Sequence, residues 1–319
     1  MATWNQTAGS ATFSNQINVA NGSGAATMTI SGGTFTQTAG TFYLAVNGPG
    51  ALTITNSSTS LYGLNLGYNQ TGTLNLRKDG VLTVTNSMTV GEYGTGNFNQ
   101  TGGTLNFNGA GGLWMANNGG AGTLNLSGGT FASASYLQLG VRALGTLNVS
   151  GTANATFPSI TMAYSGLAGT AVVNLDGGTL NSGPISRSGT ASAVFNFNGG
   201  TLAAVGSSAT HMQGLTSANV LAGGAFINDN GYDIAIGQNL LAGAPSGGLT
   251  KTGSGTLSLN GTNTFTGALT VSAGAVGGTG WIHAPVTIAN GGTLTGELIV
   301  TNTVNVANGG ALRGGTASH

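Results

Sequence analysis

A short motif that recurs about every 24 residues constrains this chain more than any other feature of its sequence. The motif is Gly or Ala, a small residue and then an apolar–Asn–apolar triplet, with Thr replacing Asn in two copies. The central residues of successive copies are Asn5, Thr29, Thr53, Asn75, Asn99, Asn125, Asn148, Asn174 and Asn196. A near-constant spacing over so many copies indicates a repeat protein whose units stack on one another.

Each repeat contains two further strand-like pieces. A glycine-rich corner such as Gly102–Leu105 follows the motif, and an apolar–x–apolar–small piece such as Leu64–Gly67 comes next. All three pieces alternate with period two, which is typical of β-strands, and no helical period persists. The sequence therefore predicts an all-β fold, a right-handed single-stranded parallel β-helix (β-solenoid) with about 24 residues and three short strands per coil.

The same alternation predicts which side chains face the core. Leu74 and Leu76 point inward, so Asn75 between them points outward. The expected core also includes Leu124, Leu126, Leu147 and Val149, and the expected outward column includes Asn125 and Asn148. Stacked amides in such a column bond to one another along the solenoid. The alternative is a flat Thr/Asn surface that binds ice or glycan, but the Thr-x-Thr pairs do not share one column.

The charge balance excludes several classes of partner. The chain has 319 residues with six basic and six acidic side chains, no net charge and no cysteine. Nucleic-acid binding and docking on anionic lipid both need a basic patch, so neither is expected. Thiolate metal sites are excluded by the lack of cysteine. No apolar run approaches the length of a membrane span, and the first residues carry no secretory signal, so an export signal would lie outside this chain.

The acidic residues are too scattered to suggest a catalytic site. They are Asp79, Glu92, Asp176, Asp229, Asp233 and Glu297. Paired-carboxylate hydrolysis needs two acids facing one bond. Only Asp229 and Asp233 are close in sequence, and they flank Asn230–Gly231, a strong turn signal. This segment is interpreted as a solvated turn, with a calcium site as the alternative.

The histidines and tryptophans offer no stronger catalytic candidate. His211 and His283 lack a neighbouring acid and are expected in turns or on the surface, and His319 is terminal. Trp114 alternates with core residues and should face outward, where it would stack on a sugar; Trp4 and Trp281 are further candidates. We therefore expect no catalytic, cofactor-binding or metal-binding residues and no cofactor.

Two other stretches are interpreted as turns. Gly109–Gly112 is glycine-rich, but no helix follows to supply a dipole for phosphate, so it is predicted to form a coil corner. Arg77–Gly80 replaces the usual Ser-Gly-Gly corner and is predicted to be a solvated turn.

The pattern changes after residue 200. Gly247–Leu257 reads Gly-Gly-Leu-Thr-Lys-Thr-Gly-Ser-Gly-Thr-Leu and precedes Asn263–Gly267 (Asn-Thr-Phe-Thr-Gly) and Val271–Gly274. This region closely resembles the autotransporter-associated β-strand repeat. The resemblance implies a β-helical passenger region of a large exported surface or secreted protein, and hence an extracellular or cell-surface location.

These observations combine into one expected organisation and role. The whole chain, residues 1–319, is expected to be one continuous solenoid, with regular repeats over 1–200 and repeats of the resembled type over 201–319. We expect a structural stalk or fibre segment, not an enzyme, that supports adhesion or forms extracellular filaments by head-to-tail self-association. Surface glycans are a further candidate partner. The alternative is a carbohydrate-binding or carbohydrate-cleaving β-helix, and an enzyme of that kind should cluster carboxylates in one groove.

Overall fold

A computed structural model describes residues 1–164 and 168–314 of the chain. Within these residues there is no α-helix, and the strands pair in parallel to form a β-solenoid of about 11 turns of roughly 24 residues. The predicted fold class is confirmed. The chain divides into two compact units, one formed by Met1–Val173 with Ser188–Ser192 and the other by Asn174–Arg187 with the described part of Ala193–His319. That all coils form one continuous solenoid stays a prediction.

The first unit consists of strands joined by tight turns. They are β1 (Ala2–Gln6), β2 (Ser10–Phe13), β3 (Ile17–Val19), β4 (Ala26–Ile30), β5 (Thr34–Gln37), β6 (Thr41–Leu44), β7 (Gly50–Thr55), β8 (Ser58–Leu66), β9 (Gly72–Arg77), β10 (Val81–Val90), β11 (Gly96–Phe107), β12 (Leu113–Met115), β13 (Gly122–Ser133), β14 (Leu137–Leu139), β15 (Gly145–Phe157) and β16 (Ile160–Met162).

Within the first unit the motif residues stack in the register that the repeat spacing predicts. β1, β4, β7, β9, β11, β13 and β15 pair in parallel in this order, so that the central motif residues of successive coils are direct partners. Leu74, Leu76, Leu124, Leu126, Leu147 and Val149 are buried, as predicted. One coil alone cannot bury these apolar side chains, but stacked coils share one core.

The asparagines between the core residues form the predicted outward ladder. Asn99 donates from Nδ2 to Asn75 Oδ1 at 3.1 Å, and Asn125 donates in the same way to Asn99 at 2.9 Å. Asn148 continues the ladder to Asn125 at 2.7 Å. In the second unit the same kind of bond joins Asn219 to Asn196 at 2.9 Å. Each of these amides thus bonds to the coil next to it.

The corners require residues that tolerate a left-handed backbone. Gly103 has φ +70°, and a Cβ there would lie 2.3 Å from the Gly80 carbonyl oxygen of the preceding coil. The small residue that directly follows the last strand of each coil in this unit also has positive φ, at Ala20, Ala45, Gly67, Gly91, Ala116, Gly140 and Ala163. The small residue in the apolar–x–apolar–small piece therefore reflects a steric requirement of the turn.

The second unit also consists of parallel strands. It contains most of β17 (Ala171–Ser182), and β18 (Ile185–Arg187), β19 (Ala193–Phe197), β20 (Thr201–Ala204), β21 (Ser208–Gln213), β22 (Ser217–Val220), β23 (Ala225–Asn228), β24 (Ile234–Ile236), β25 (Leu240–Ala242), β26 (Leu249–Thr252), β27 (Thr256–Leu259), β28 (Thr262–Asn263), β29 (Leu269–Val271), β30 (Gly274–Gly277), β31 (Trp281–Ile282), β32 (Val286–Ile288), β33 (Gly292–Leu294), β34 (Ile299–Val300), β35 (Val304–Val306) and β36 (Ala311–Leu312).

The coils of the second unit become shorter along the chain. Ala225 pairs with Leu249, and Leu249 in turn pairs with Leu269, so the later coil contains fewer residues than the earlier one. A shorter turn between the second and third strands of the coil accounts for part of this difference in length. It spans residues 229–233 between β23 and β24 but only residues 253–255 between β26 and β27. The coil length of the first unit therefore does not hold to the end of the chain.

Candidate functional site

The structure does not bring the six acidic residues together. Asp79, Asp176, Asp233 and Glu297 are exposed, Glu92 is half-buried, and Asp229 is fully buried. Among residues 1–164 and 168–314, no group of three His, Asp or Glu side chains is placed to hold a metal ion.

The most unusual arrangement is a buried ion pair between Lys251 of β26 and Asp229, which follows β23 in the preceding coil. The Lys251 Nζ lies 2.5 Å from Asp229 Oδ2, and both side chains are fully buried. The same ammonium donates to the carbonyl oxygens of Gly253 (2.7 Å), Gly255 (2.8 Å) and Ala273 (2.9 Å). A buried charge is tolerated only when it is paired and hydrogen-bonded, and here both conditions are met.

The glycines of the turn shape this site. Gly253 has φ +86°, and a Cβ there would lie 2.1 Å from Asp229 Oδ1. A Cβ on Gly255 would lie 2.2 Å from the Tyr232 carbonyl oxygen. The backbone N–H groups of Gly231 and Gly255 donate to Asp229 Oδ1 at 2.9 and 3.0 Å. These residues therefore form one connected cluster, which we call the Lys251 centre (Lys251, Asp229, Gly253, Gly255 and Ala273).

The solvated turn predicted for Asp229 is wrong, although the turn itself is present. Asn230 and Gly231 have positive φ, and Asp233 is exposed. Asp229, however, continues the inward alternation of Ala225 and Ile227 and so enters the core. The alternation of apolar residues in β23 thus indicates that Asp229 faces inward. The alternation in β26 indicates the same for Lys251, which lies on the inward face with Leu249. In the sequence, Lys251 stands out only as part of the resembled motif Gly247–Leu257.

Asn263 is a second buried polar residue that joins coils. Its Oδ1 accepts the N–H of Leu240 at 3.2 Å, and its Nδ2 donates to the carbonyl oxygens of Gly261 (2.9 Å) and Trp281 (3.1 Å). These three backbone groups belong to successive coils. Lys251 and Asn263 thus both satisfy backbone groups that a purely apolar core would leave unpaired.

The prediction that His211 lies in a turn or on the surface is wrong. It lies in β21, is fully buried, and neither ring nitrogen has a hydrogen-bond partner. The pairing of β21 with β24 is irregular between Ser208 and Met212, and this irregularity was not visible in the sequence. Burial lowers the pKa of His211 from 6.5 to about 4. The imidazole is therefore neutral at pH 7.

The other histidines and the tryptophans are placed mostly as expected. His283 is exposed, with its Nδ1 3.0 Å from Thr301 Oγ1, and His319 lies outside the described residues. Trp4 and Trp281 are exposed. Trp114 faces away from Leu113 and Met115 as predicted, but it is only half-exposed.

The two stretches interpreted as turns have that conformation. Arg77, Lys78 and Asp79 are exposed, and Lys78 has positive φ. Residues 109–112 form a corner in which the Trp114 ring lies close to Gly112. Both predictions are confirmed.

The geometry of the Lys251 centre defines what this site can do. The ammonium is saturated with acceptors and closed to solvent, so its contacts hold successive coils together.

Within the described part of the chain, no helix is long and apolar enough to cross a membrane.

Comparison with known proteins identifies the segment that contains Lys251. Residues 249–276 match the family model of the passenger-associated-transport-repeat, and this short match includes both Lys251 and Asn263. No curated protein and no solved structure matches the chain. The repeat family implies an exported or cell-surface protein and, with the solenoid fold, suggests a structural role. The chain is thus a β-solenoid in which residues 249–276 match a passenger-associated repeat.

Proposed function

We propose that this chain is a structural segment of an extracellular or cell-surface passenger, which stacks end to end through its terminal coils and thereby builds a stalk or filament that supports adhesion. The repeat family and the solenoid fold support the passenger role. The open apolar edge of the first coil carries the stacking part of the proposal.

The first coil has a paired coil on one side only among the described residues. Within the described part of the chain, β1, β2 and β3 pair only with β4, β5 and β6, respectively. Two aromatic side chains of the first coil are exposed, Trp4 by 39% and Phe13 by 41%. By contrast, Phe35 in β5 of the second coil is buried. A cavity of about 630 Å³ opens at this edge, lined by Met1, Trp4, Phe13, Ile17, Val19 and Met28 among others. Unpaired strand edges and clustered exposed apolar side chains are features of interaction surfaces.

The occupant that fits this edge is the coil at the other end of a second copy. There β34, β35 and β36 are paired with preceding strands, and Ile299, Val306 and Leu312 are exposed. Stacking of these strands on β1, β2 and β3 would repeat the parallel pairing that already joins successive coils. The absence of net charge leaves little long-range repulsion between copies. Because the two surfaces differ, such contacts do not close and produce filaments.

We expect the chain to form particles larger than its 31.1 kDa mass at micromolar concentration in analytical ultracentrifugation. Phe13→Lys should return the protein to the monomer, because it places a charge against the apolar edge. Tyr232→Lys, at an exposed aromatic that is not among the residues lining this edge, should leave assembly unchanged. A wild-type chain that sediments only as a monomer, or a Phe13→Lys variant that assembles equally well, would overturn the stacking proposal.

A further inference from the structure

Three successive coils of the first unit each carry a tyrosine in, or just after, their last strand. Tyr43 lies in β6, Tyr68 follows β8 and Tyr93 follows β10, at a constant interval along the chain. The ring centroids of Tyr43 and Tyr68 are 4.8 Å apart, and those of Tyr68 and Tyr93 are 5.7 Å apart, both edge to face. Tyr93 is 55% exposed. The three rings therefore form an ordered row that ends on an exposed ring.

A carboxylate bound by amides lies directly beside this row. Glu92 precedes Tyr93, and its carboxylate accepts from Asn65 Nδ2 at 3.5 Å, from Asn117 Nδ2 at 3.2 Å and from Asn118 Nδ2. The donors come from the coils before and after Glu92, so the carboxylate is held in place. Among the described residues, the one ion pair joins Lys251 to Asp229, so the Glu92 carboxylate has no cationic partner.

Asn65 contributes an acceptor that the protein does not satisfy. Its side chain is only 7% exposed, and its Oδ1 has no hydrogen-bond partner. A buried acceptor left unpaired destabilises the protein, and its hydrogen bond is normally supplied by water or a ligand. The group of Tyr43, Tyr68, Tyr93, Glu92 and Asn65 is called the tyrosine strip below.

We propose that the tyrosine strip binds a neutral oligosaccharide. An exposed tyrosine offers an apolar ring face for the C–H face of a sugar, and its hydroxyl group remains available to polar partners. Sugar hydroxyls donate hydrogen bonds, which the half-buried Glu92 carboxylate accepts. The uncompensated carboxylate disfavours acidic sugars through like-charge repulsion. The row of rings along three coils suits a chain of sugar units rather than a single one.

The proposal concerns a face of the coils and does not depend on end-to-end stacking. It is tested by titrating the full chain with cellohexaose and with maltohexaose in isothermal calorimetry, with a galacturonic acid hexamer as the acidic probe. We expect measurable binding of at least one neutral hexamer and weaker binding of the acidic one. Tyr93→Ala should weaken binding about tenfold, because an aromatic stacking surface is lost. Glu92→Gln should weaken binding of the neutral hexamer less than Tyr93→Ala does. It should also reduce the ratio of the affinity for the neutral hexamer to that for the acidic hexamer.

Tyr232→Ala is the matched control, because Tyr232 is also an exposed tyrosine next to a turn but lies in the second unit. It should leave binding unchanged. Circular dichroism of each variant checks that the β-fold is retained, which is expected because the Tyr93 side chain is largely exposed. Failure of both neutral hexamers to bind the wild-type chain, or equal binding by the wild type and the Tyr93→Ala variant, would overturn the proposal. Such a failure would leave the end-to-end stacking untouched, since that is read from the sedimentation of the free chain.

Discussion

Replacement of Lys251 with methionine is expected to lower the free energy of unfolding of the second unit by about 3–5 kcal/mol. Methionine fills similar space but leaves the buried Asp229 carboxylate without its cation. It also removes the donor for the carbonyl oxygens of Gly253, Gly255 and Ala273. The loss should appear as a lower urea midpoint in unfolding followed by circular dichroism.

Lys78 provides the matched control, because it is the other lysine of the chain and is exposed. Lys78→Met should change the unfolding free energy by no more than about 0.5 kcal/mol. Adding Asp229→Asn to Lys251→Met should recover part of the loss, since no unpaired charge then remains in the core. A Lys251→Met variant as stable as the wild type would show that the Lys251 centre does not hold the coils together.

Acidification is expected to destabilise the protein through His211. Burial lowers the pKa of this imidazole to about 4 in the folded state, whereas the unfolded chain protonates near 6.5. Between these values the unfolded state binds more protons, so stability falls as the pH falls from about 6.5 to about 4. The full loss is about 3 kcal/mol, and it is absent above pH 6.5.

The test compares wild type and His211→Leu in urea unfolding at several pH values from 7.5 to 4. Leucine has no charge to acquire, so the stability difference between variant and wild type should shift in favour of the variant as the pH falls. His283→Gln, at an exposed histidine, should follow the wild-type pH dependence. A difference between His211→Leu and wild type that stays constant with pH would contradict the buried neutral state of His211.

The fold was predictable because its strongest signal is local and repeated. Alternation around Asn75 and Asn125 determines which side chains face the core, and the repeat spacing determines which residues stack. The Asn ladder and the buried leucines follow from these two facts. The small residues after each third strand were visible in the sequence as well, and their positive φ explains them.

The candidate sites were harder to predict, because they depend on contacts between coils. Asp229 and Lys251 are well separated along the chain, and each looks like an ordinary turn or motif residue in the sequence. Only the stacked coils place them within 2.5 Å. His211 was misplaced because an irregularity in β21 changes which residues face inward. The tyrosine strip combines residues from successive coils, so no single local motif in the sequence predicts it.

Successive coils stack in the register of the motif residues, and an engineered disulfide between two coils tests this register. The chain has no cysteine, so any disulfide must come from the introduced pair. Thr53 and Asn75 are direct partners on adjacent coils, about 4.8 Å apart. This separation suits a disulfide, whereas Thr53 and Asn99, two coils apart at about 10 Å, are too distant.

After mild oxidation at low protein concentration, mass spectrometry of proteolytic peptides should find an intramolecular disulfide in Thr53→Cys/Asn75→Cys. The Thr53→Cys/Asn99→Cys chain should keep two free thiols. Free thiols in the first variant together with a disulfide in the second would contradict the stacked-coil register.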